Sequence, residues 1–419
     1  MKRFYYFLII LCVAAMTLTG CAGEEDVIEI EYSDLTLSID YSRFEGVELS
    51  VYNWGYYISD GSDGSIDVNE EFEKLTGIRI VYDNYDSNES LYAKLSGGGA
   101  DYDVIIPSDY MIGRLIEEGM LAELNFDNIP NFKYIDEKYV NPEYDPSNKF
   151  SVPYNVGMVG VIYNSTVVEG TPTSWSLMWD ERYKGKILNF NNSRDAFSVA
   201  QFYAGLDING TDKKDWDKAY NLLAAQKEIL QSYVMDEVFN KMESGEAVVA
   251  PYYAGDFFTM YGNNEDLAFY YPEEGTNRFV DGLCVLKNSK NKEAAELYIN
   301  FLMDPAIAQA NAEYMYYASP NVEVINNEDY RAFLDELHPD AFYILYEAPL
   351  EVPTDSFQNL SEDMKGYMSQ KWTELGAAIT EESNNYTVYI ICLVIILVIL
   401  AMYIAHKIKI YRRELVDYQ

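Results

Sequence analysis

Between Leu49 and Glu118 the chain alternates strand and helix signals, and that alternation constrains the fold more than any other feature. Leu49–Tyr52 is a short β-prone run. Ser65–Thr76 follows with helical spacing, its apolar positions Ile66, Val68, Phe72 and Leu75 closed off by Gly77. Ile78–Tyr82 alternates as a strand, and Ser87 or Asn88 caps a helix over Glu89–Leu95. Tyr102–Ile106 then reads as a strand and Met111–Glu118 as a helix. A β-α-β-α-β order predicts a parallel, doubly wound α/β sheet. Gly97-Gly98-Gly99 lacks the Lys-Ser/Thr of a phosphate loop and enters a strand rather than a helix, so it reads as a turn.

In such sheets ligands bind beyond the carboxyl ends of the strands. Two of these ends are rich in side chains that could line a cleft. Val47–Asp60 (VELSVYNWGYYISD) sets Trp54, Tyr56 and Tyr57 in the turn after the first strand, with Gly55 permitting a tight path. Pro107-Ser108-Asp109-Tyr110 repeats the arrangement after the third. Strand ends carrying Trp, Tyr and Ser suit something flat or cationic; packing of the same rings into the core is the competing explanation.

The remaining chain predicts a second lobe. Proline residues break up Asn141–Tyr154, and Val156–Tyr163 reads as a buried strand crossing to that lobe. Helices are expected at Thr173–Trp179, Ala196–Gly205, Asp215–Leu230 and Met235–Glu243, with strands at Lys186–Phe190 and Ala247–Tyr253. Phe279–Leu286 leads back, followed by helices Lys292–Met303, Pro305–Tyr314 and Asp363–Ile379. Two crossings make a hinged clamshell, with 46–155 and 279–318 as one lobe and 156–278 and 319–380 as the other.

Composition removes several functions. A net charge of −38 over 419 residues excludes nucleic acid as a partner and suits a cationic ligand, although extracellular solubility explains the same charge. The four cysteines are scattered at Cys12, Cys21, Cys284 and Cys392, leaving Cys284 alone in the body without a disulfide partner. With two histidines, a Ser-His-Asp triad would rest on His338, and no metal site or cofactor is expected. The 39 tyrosines supply rings for cation–π contacts, though most serve packing.

Both ends carry membrane signals. Residues 1–20 form a secretory signal with basic Lys2 and Arg3 before the apolar run Phe4–Leu18. Leu18-Thr19-Gly20-Cys21 resembles the lipobox of bacterial lipoproteins, which implies lipidation at Cys21 and a following acidic tether over 21–45. Tyr386–Ala405 is apolar and, at about 20 residues, long enough to span a bilayer. The basic tail 406–419, with Lys407, Lys409, Arg412 and Arg413, places itself in the cytoplasm and the body outside.

Tyr52-Asn53-Trp54, Ser87–Leu95 (SNESLYAKL), Tyr102–Tyr110 (YDVIIPSDY), Ser151–Gly157 (SVPYNVG) and Asn291–Pro305 occur in the order found in one family. From Val47 to Ala377 the chain resembles the spermidine/putrescine-binding proteins of bacterial polyamine ABC importers. The resemblance implies the two-lobe periplasmic-binding-protein fold, a polyamine in the cleft, an ABC permease as partner, a monomeric receptor and no enzymatic activity. Carried across residue by residue, it implies ligand contacts from Trp54, Tyr57, Ser108, Tyr110, Asn192, Asp195, Tyr253, Phe279, Asp281, Tyr317 and Gln358. Asp195 and Asp281 become the expected ammonium partners, since a desolvated ammonium needs a carboxylate.

Some of these residues have simpler explanations. Asp281 before Gly282 suits a turn, and Asp195 suits a cap for Ala196–Gly205. The sequence also departs from the family, with Asn192 in an acidic position, Tyr253 and Phe279 in tryptophan positions, and Gly55 without a side chain. Fewer acids favour a ligand of fewer charges, a diamine such as putrescine or a monoamine; Asp256 is the residue that could restore the missing carboxylate. The alternatives are another organic cation or small solute in the same fold, an extracellular carboxylate-pair hydrolase, and a polyamine sensor signalling through the C-terminal helix.

Overall fold

The computed structural model describes residues 30–98 and 101–376. The first lobe starts with β1 (Glu48–Trp54), which pairs in parallel with both β2 (Arg79–Tyr85) and β3 (Val104–Ile105). Between these strands run α1 (Val68–Thr76) and α2 (Asn88–Ser96), and α3 (Asp109–Glu117) follows β3. The doubly wound alternation is therefore present. β3 is shorter than Tyr102–Ile106, as the carboxylate of Asp103 is turned onto the backbone N–H of Ser50 at 2.9 Å. Likewise α1 starts at Val68 rather than Ser65, because Asp67 accepts from the N–H of Glu70 at 2.9 Å and fixes the cap there.

Strand β4 (Ser151–Asn164) is buried along its whole length and belongs to both lobes. The second lobe adds β5 (Ile187–Phe190), α4 (Ser193–Tyr203), α5 (Lys213–Lys227), β6 (Leu230–Val234), α6 (Glu237–Glu243), β7 (Val249–Tyr253), α7 (Ala254–Asn263) and β8 (Leu267–Tyr270). The chain returns along β9 (Thr276–Val285). The first half of β4 runs antiparallel to β9, and its second half antiparallel to β7 and β8. β9 closes against β3, giving the strand order β2-β1-β3-β9-β4-β7-β5-β6. The helices α8 (Lys292–Leu302) and α9 (Pro305–Met315) follow, and β10 (Thr354–Asp355) pairs with the start of β9. Two crossings, β4 and β9, thus connect two α/β lobes.

Several expected elements changed. The helix expected to reach Leu230 ends at Lys227, because Leu230–Val234 is a strand parallel to β5. Thr173–Trp179 is only a 3-10 turn over Trp175–Trp179, capped by Ser174 and held by the Trp175 indole N–H donating to Gly275 O at 2.8 Å. β8 and β10 had no sequence signal strong enough to be anticipated.

The lobes have separate cores. Phe72, Tyr298 and Phe301 fill the first beneath Leu49 and Val51; Trp175, Phe190, Phe257 and Phe258 fill the second. Helix 362–376 adds Met364, Met368 and Leu375 to a layer containing Phe197 and Trp216. Part of the expected tether is not free. From Ser33 onward it packs on the first lobe, where the Ser33 N–H and the Thr36 hydroxyl both donate to buried Asp304, at 2.9 and 2.6 Å. Among the described residues no helix is long and apolar enough to cross a membrane. The expected signal 1–20 with Cys21, the spanning segment 386–405 and the tail 406–419 lie outside the described residues.

Candidate functional site

Four strand ends converge on one cleft of about 510 Å³. After β1 come Trp54 and Tyr57, after β3 Ser108 and Tyr110, after β5 Asn192 and Asp195, and at the end of β7 Tyr253 and Asp256. β9 adds Asn277, Phe279 and Asp281 along one face, and Tyr317 and Phe357 complete the wall. Five aspartates, Asp86, Asp195, Asp236, Asp256 and Asp281, face the cleft, while its described lining contains no lysine, arginine or histidine.

Three of those carboxylates share one design. The hydroxyls of Tyr57, Tyr253 and Tyr317 donate to Oδ2 of Asp281, Asp195 and Asp256, at 2.6, 3.0 and 2.9 Å. Tyr57 and Tyr317 meet edge to face at 5.2 Å, as do Tyr253 and Phe279 at 5.5 Å, so the donors are held by ring packing. Asp281 Oδ1 is buried with no hydrogen-bond partner. A buried carboxylate oxygen without a donor calls for one from a ligand.

Burial pushes these acids upward. The Asp281 carboxyl is raised to about 6, with the hydroxyls of Ser108 and Tyr57 beside it limiting the rise. Asp195 and Asp256 are raised to about 7 by burial, each partly offset by its tyrosine. Asp195 and Asp256 also lie in the first turns of α4 and α7, where the helix dipole favours the anion. A cation entering this space meets groups that gain by ionising.

Two residues with alternative roles can be placed. The N-cap of α4 is Asn192, whose Oδ1 accepts from Arg194 N–H at 2.9 Å while its Nδ2 donates to Asp195 Oδ2 at 2.7 Å. Asp195 therefore does not cap the helix and is free to face the cleft. Trp54 lends its ring only, since its Nε1–H donates to Ile106 O at 2.9 Å. Ser108 is held by Asn88 through its Oγ at 3.0 Å, and the Tyr110 hydroxyl donates to Glu89 at 3.0 Å.

Gln358 is the exception among the expected contacts. It is exposed and does not line the cleft, because its backbone is tied to Arg194 and Asn209. Its neighbour Phe357 presents the ring instead, edge-on to Tyr110 at 5.8 Å. Among the lining residues missed in the sequence are Phe357, Asn277, Tyr252 and the acids Asp86 and Asp236. Only Asn277 carried a signal, standing two residues before Phe279 on the same strand face. His338 lies away from the cleft, ringed by Phe257, Phe258 and Tyr261, and its Nδ1 accepts from the Asp340 N–H at 3.0 Å.

Residues 101–338 match the model of the bacterial extracellular solute-binding protein family. The chain belongs to that family. Its members bind solutes for transport and are not enzymes. This solute-binding protein is 33% identical over 304 residues to the spermidine/putrescine-binding periplasmic protein of Escherichia coli (strain K12), covering 70% of this chain and 83% of the relative. It is 29% identical over 307 residues to the putrescine-binding periplasmic protein PotF of the same strain, covering 68% and 81%. The spermidine/putrescine ABC transporter substrate-binding protein PotD of Streptococcus pneumoniae superposes with a TM-score of 0.65 at 29% identity, over 79% of this chain and 99% of that one.

Proposed function

We propose that this solute-binding protein captures a polyamine, putrescine or spermidine, outside the cytoplasm and delivers it to an ABC permease. One observation carries the reading: a cleft lined by five aspartates and many rings, with no basic side chain in its described lining. Asp281 and Asp195 take ammonium groups, assisted by Asp256, because a desolvated ammonium recovers its lost hydration only from a charged acceptor. Trp54, Tyr57, Tyr253, Phe279 and Tyr317 hold the methylenes, each ring adding about 0.5–2 kcal/mol where it faces the cation. Ser108, Tyr110 and Asn192 orient these groups.

The lobes, 46–155 with 279–318 and 156–278 with 319–380, close about β4 and β9 as a monomer. The receptor is held at the membrane through Cys21, the segment 386–405, or both, a reading supported by the lipobox-like LTGC and by the apolar run before a basic tail.

Isothermal titration of the detergent-solubilised full chain with putrescine, cadaverine and spermidine tests this. Saturable 1:1 heat with one of them, abolished in Asp281→Asn, is expected. A folded protein giving no heat with all three would overturn the polyamine assignment.

A further inference from the structure

Strand β9 presents its cleft face in a fixed order. Asn277, Phe279 and Asp281 line the cleft, whereas Arg278 between them opens onto a separate pocket on the opposite face. This is the period-two alternation of a strand. At its two ends stand two acceptors with the same deficiency. Asp281 Oδ1 and Asn277 Oδ1 are both buried and both lack a hydrogen-bond partner. Phe279 lies midway, its ring packed on Gly157 so closely that a Cβ there would come within 2.2 Å of it.

Four residues of strand span about 13 Å. The nitrogens of a four-carbon diamine are about 6 Å apart, and those of a three-nitrogen chain with seven methylenes about 11 Å, from ordinary bond lengths. A hydrogen bond of about 2.9 Å at each end bridges the difference between that span and the second value, but not between it and the first. A diamine anchored on Asp281 ends near Phe279 and leaves Asn277 unsatisfied.

The environment of Asn277 suits a polar terminus. Met158 pairs with Arg278 and Val159 with Tyr253, so Asn277 lies on the Tyr253 side of the cleft, where Tyr253 bonds Asp195. The adjoining charge is mixed. Arg194, one residue before Asp195, is 3% exposed and stacks behind Phe357 at 4.5 Å. Its guanidinium offsets part of the local negative charge, which makes a neutral acceptor the natural partner for one of the N–H groups there.

We propose that Asn277 is a specificity-determining ligand contact whose carboxamide oxygen accepts an N–H from the far end of a three-nitrogen polyamine anchored on Asp281. The inference rests on the polyamine reading and sharpens it. The lost acid at position 192 points toward a diamine, whereas the spacing along β9 points toward spermidine.

The test compares spermidine and putrescine by titration calorimetry on the full chain and on Asn277→Leu and Asn277→Asp, with unliganded thermal melts as a folding control. Asn277→Leu removes the acceptor at similar volume and is expected to weaken spermidine about tenfold while leaving putrescine within about twofold. Asn277→Asp retains an acceptor and is expected to keep the spermidine preference, which also covers the case in which the leucine variant fails to fold. Equal losses for both ligands, or unchanged spermidine binding in the leucine variant, overturn the assignment of Asn277 alone. A wild-type chain that binds neither ligand overturns the polyamine reading itself.

Discussion

The hydroxyl of Tyr57 donates to Oδ2 of Asp281 across 2.6 Å, although the two residues stand 224 positions apart in the chain. The bond fixes the carboxylate with Oδ2 occupied and Oδ1 open, so the acceptor is preorganised before any ligand arrives. Tyr57→Phe removes the donor while keeping the ring. Polyamine affinity is expected to fall about tenfold, the low end for a hydrogen bond to a charged group. Asp281→Asn is expected to cost a hundredfold or more, because the ligand's ammonium is left without a charge partner. Titration calorimetry on both variants checks the order; a larger loss in Tyr57→Phe would contradict the assignment of Asp281 as the anchor.

The pH dependence has a definite sign. Asp281, Asp195 and Asp256 are raised to about 6, 7 and 7 by burial, from an ordinary value of 3.8. The empty folded protein therefore binds more protons than the unfolded chain between about pH 4 and 7. The stability this supplies is complete below the unfolded value and is lost as pH rises through 6–7. A cationic ligand binds the ionised forms, so its affinity rises over the same window with release of protons. Titrations in two buffers of different ionisation heat should yield proton release near pH 6.5, diminished in Asp195→Asn. Buffer-independent heats would remove the carboxylates from the binding step.

Asn192 performs two jobs with one amide, capping α4 through Oδ1 and steadying Asp195 through Nδ2. Substitution separates them. Asn192→Ala should lose about 1 kcal/mol of stability from the missing cap. Asn192→Asp keeps the cap and gains from the helix dipole, but it loses the Nδ2 donor and sets a second carboxylate against Asp195 Oδ2, so that below neutral pH the pair shares a proton. Stability closer to wild type than that of Asn192→Ala at pH 5, where the pair holds a proton, with severalfold tighter spermidine binding at pH 8, is the expected result from denaturant unfolding and calorimetry. Equal destabilisation by both substitutions would refute the capping role.

Local patterns announced what local physics determines. The alternation through Leu49–Glu118 was legible because strand and helix periods differ and caps such as Ser87 sit where the backbone needs them. The rings of Trp54 and Tyr57 were visible because they follow a strand end. Asp195 was ambiguous in sequence, since a first-turn acid and a cap look alike until Asn192 is seen holding the N–H of Arg194. Phe357 gave no signal. It reaches the cleft only because the chain after β10 is tied to Arg194 and Asn209, contacts that join segments some 150 residues apart. β6 gave no signal of its own, since the helix expected before it took in Leu230 and the four residues after that carried no pattern, and only its pairing with β5 reveals it.

The positions of two wall rings depend on glycines opposite them. A Cβ on Gly157 would approach the Phe279 ring to 2.2 Å, and one on Gly255 would approach the Tyr317 ring to 2.5 Å. Neither ring can retreat far, as Phe279 is packed against Tyr253 and Tyr317 is tied to Asp256. Gly157→Ala must therefore push Phe279 into the cleft or strain β4, at a stability cost of about 1–3 kcal/mol typical of overpacking. Gly255→Ala should instead stretch the Tyr317–Asp256 bond and free that carboxylate. The two variants are expected to differ in kind. Gly157→Ala loses affinity at every pH because the methylene wall moves, while Gly255→Ala shifts the pH profile of binding upward as Asp256 loses its donor. Denaturant unfolding and calorimetry from pH 6 to 8 separate them, and parallel pH profiles would show that Tyr317 does not set the ionisation of Asp256.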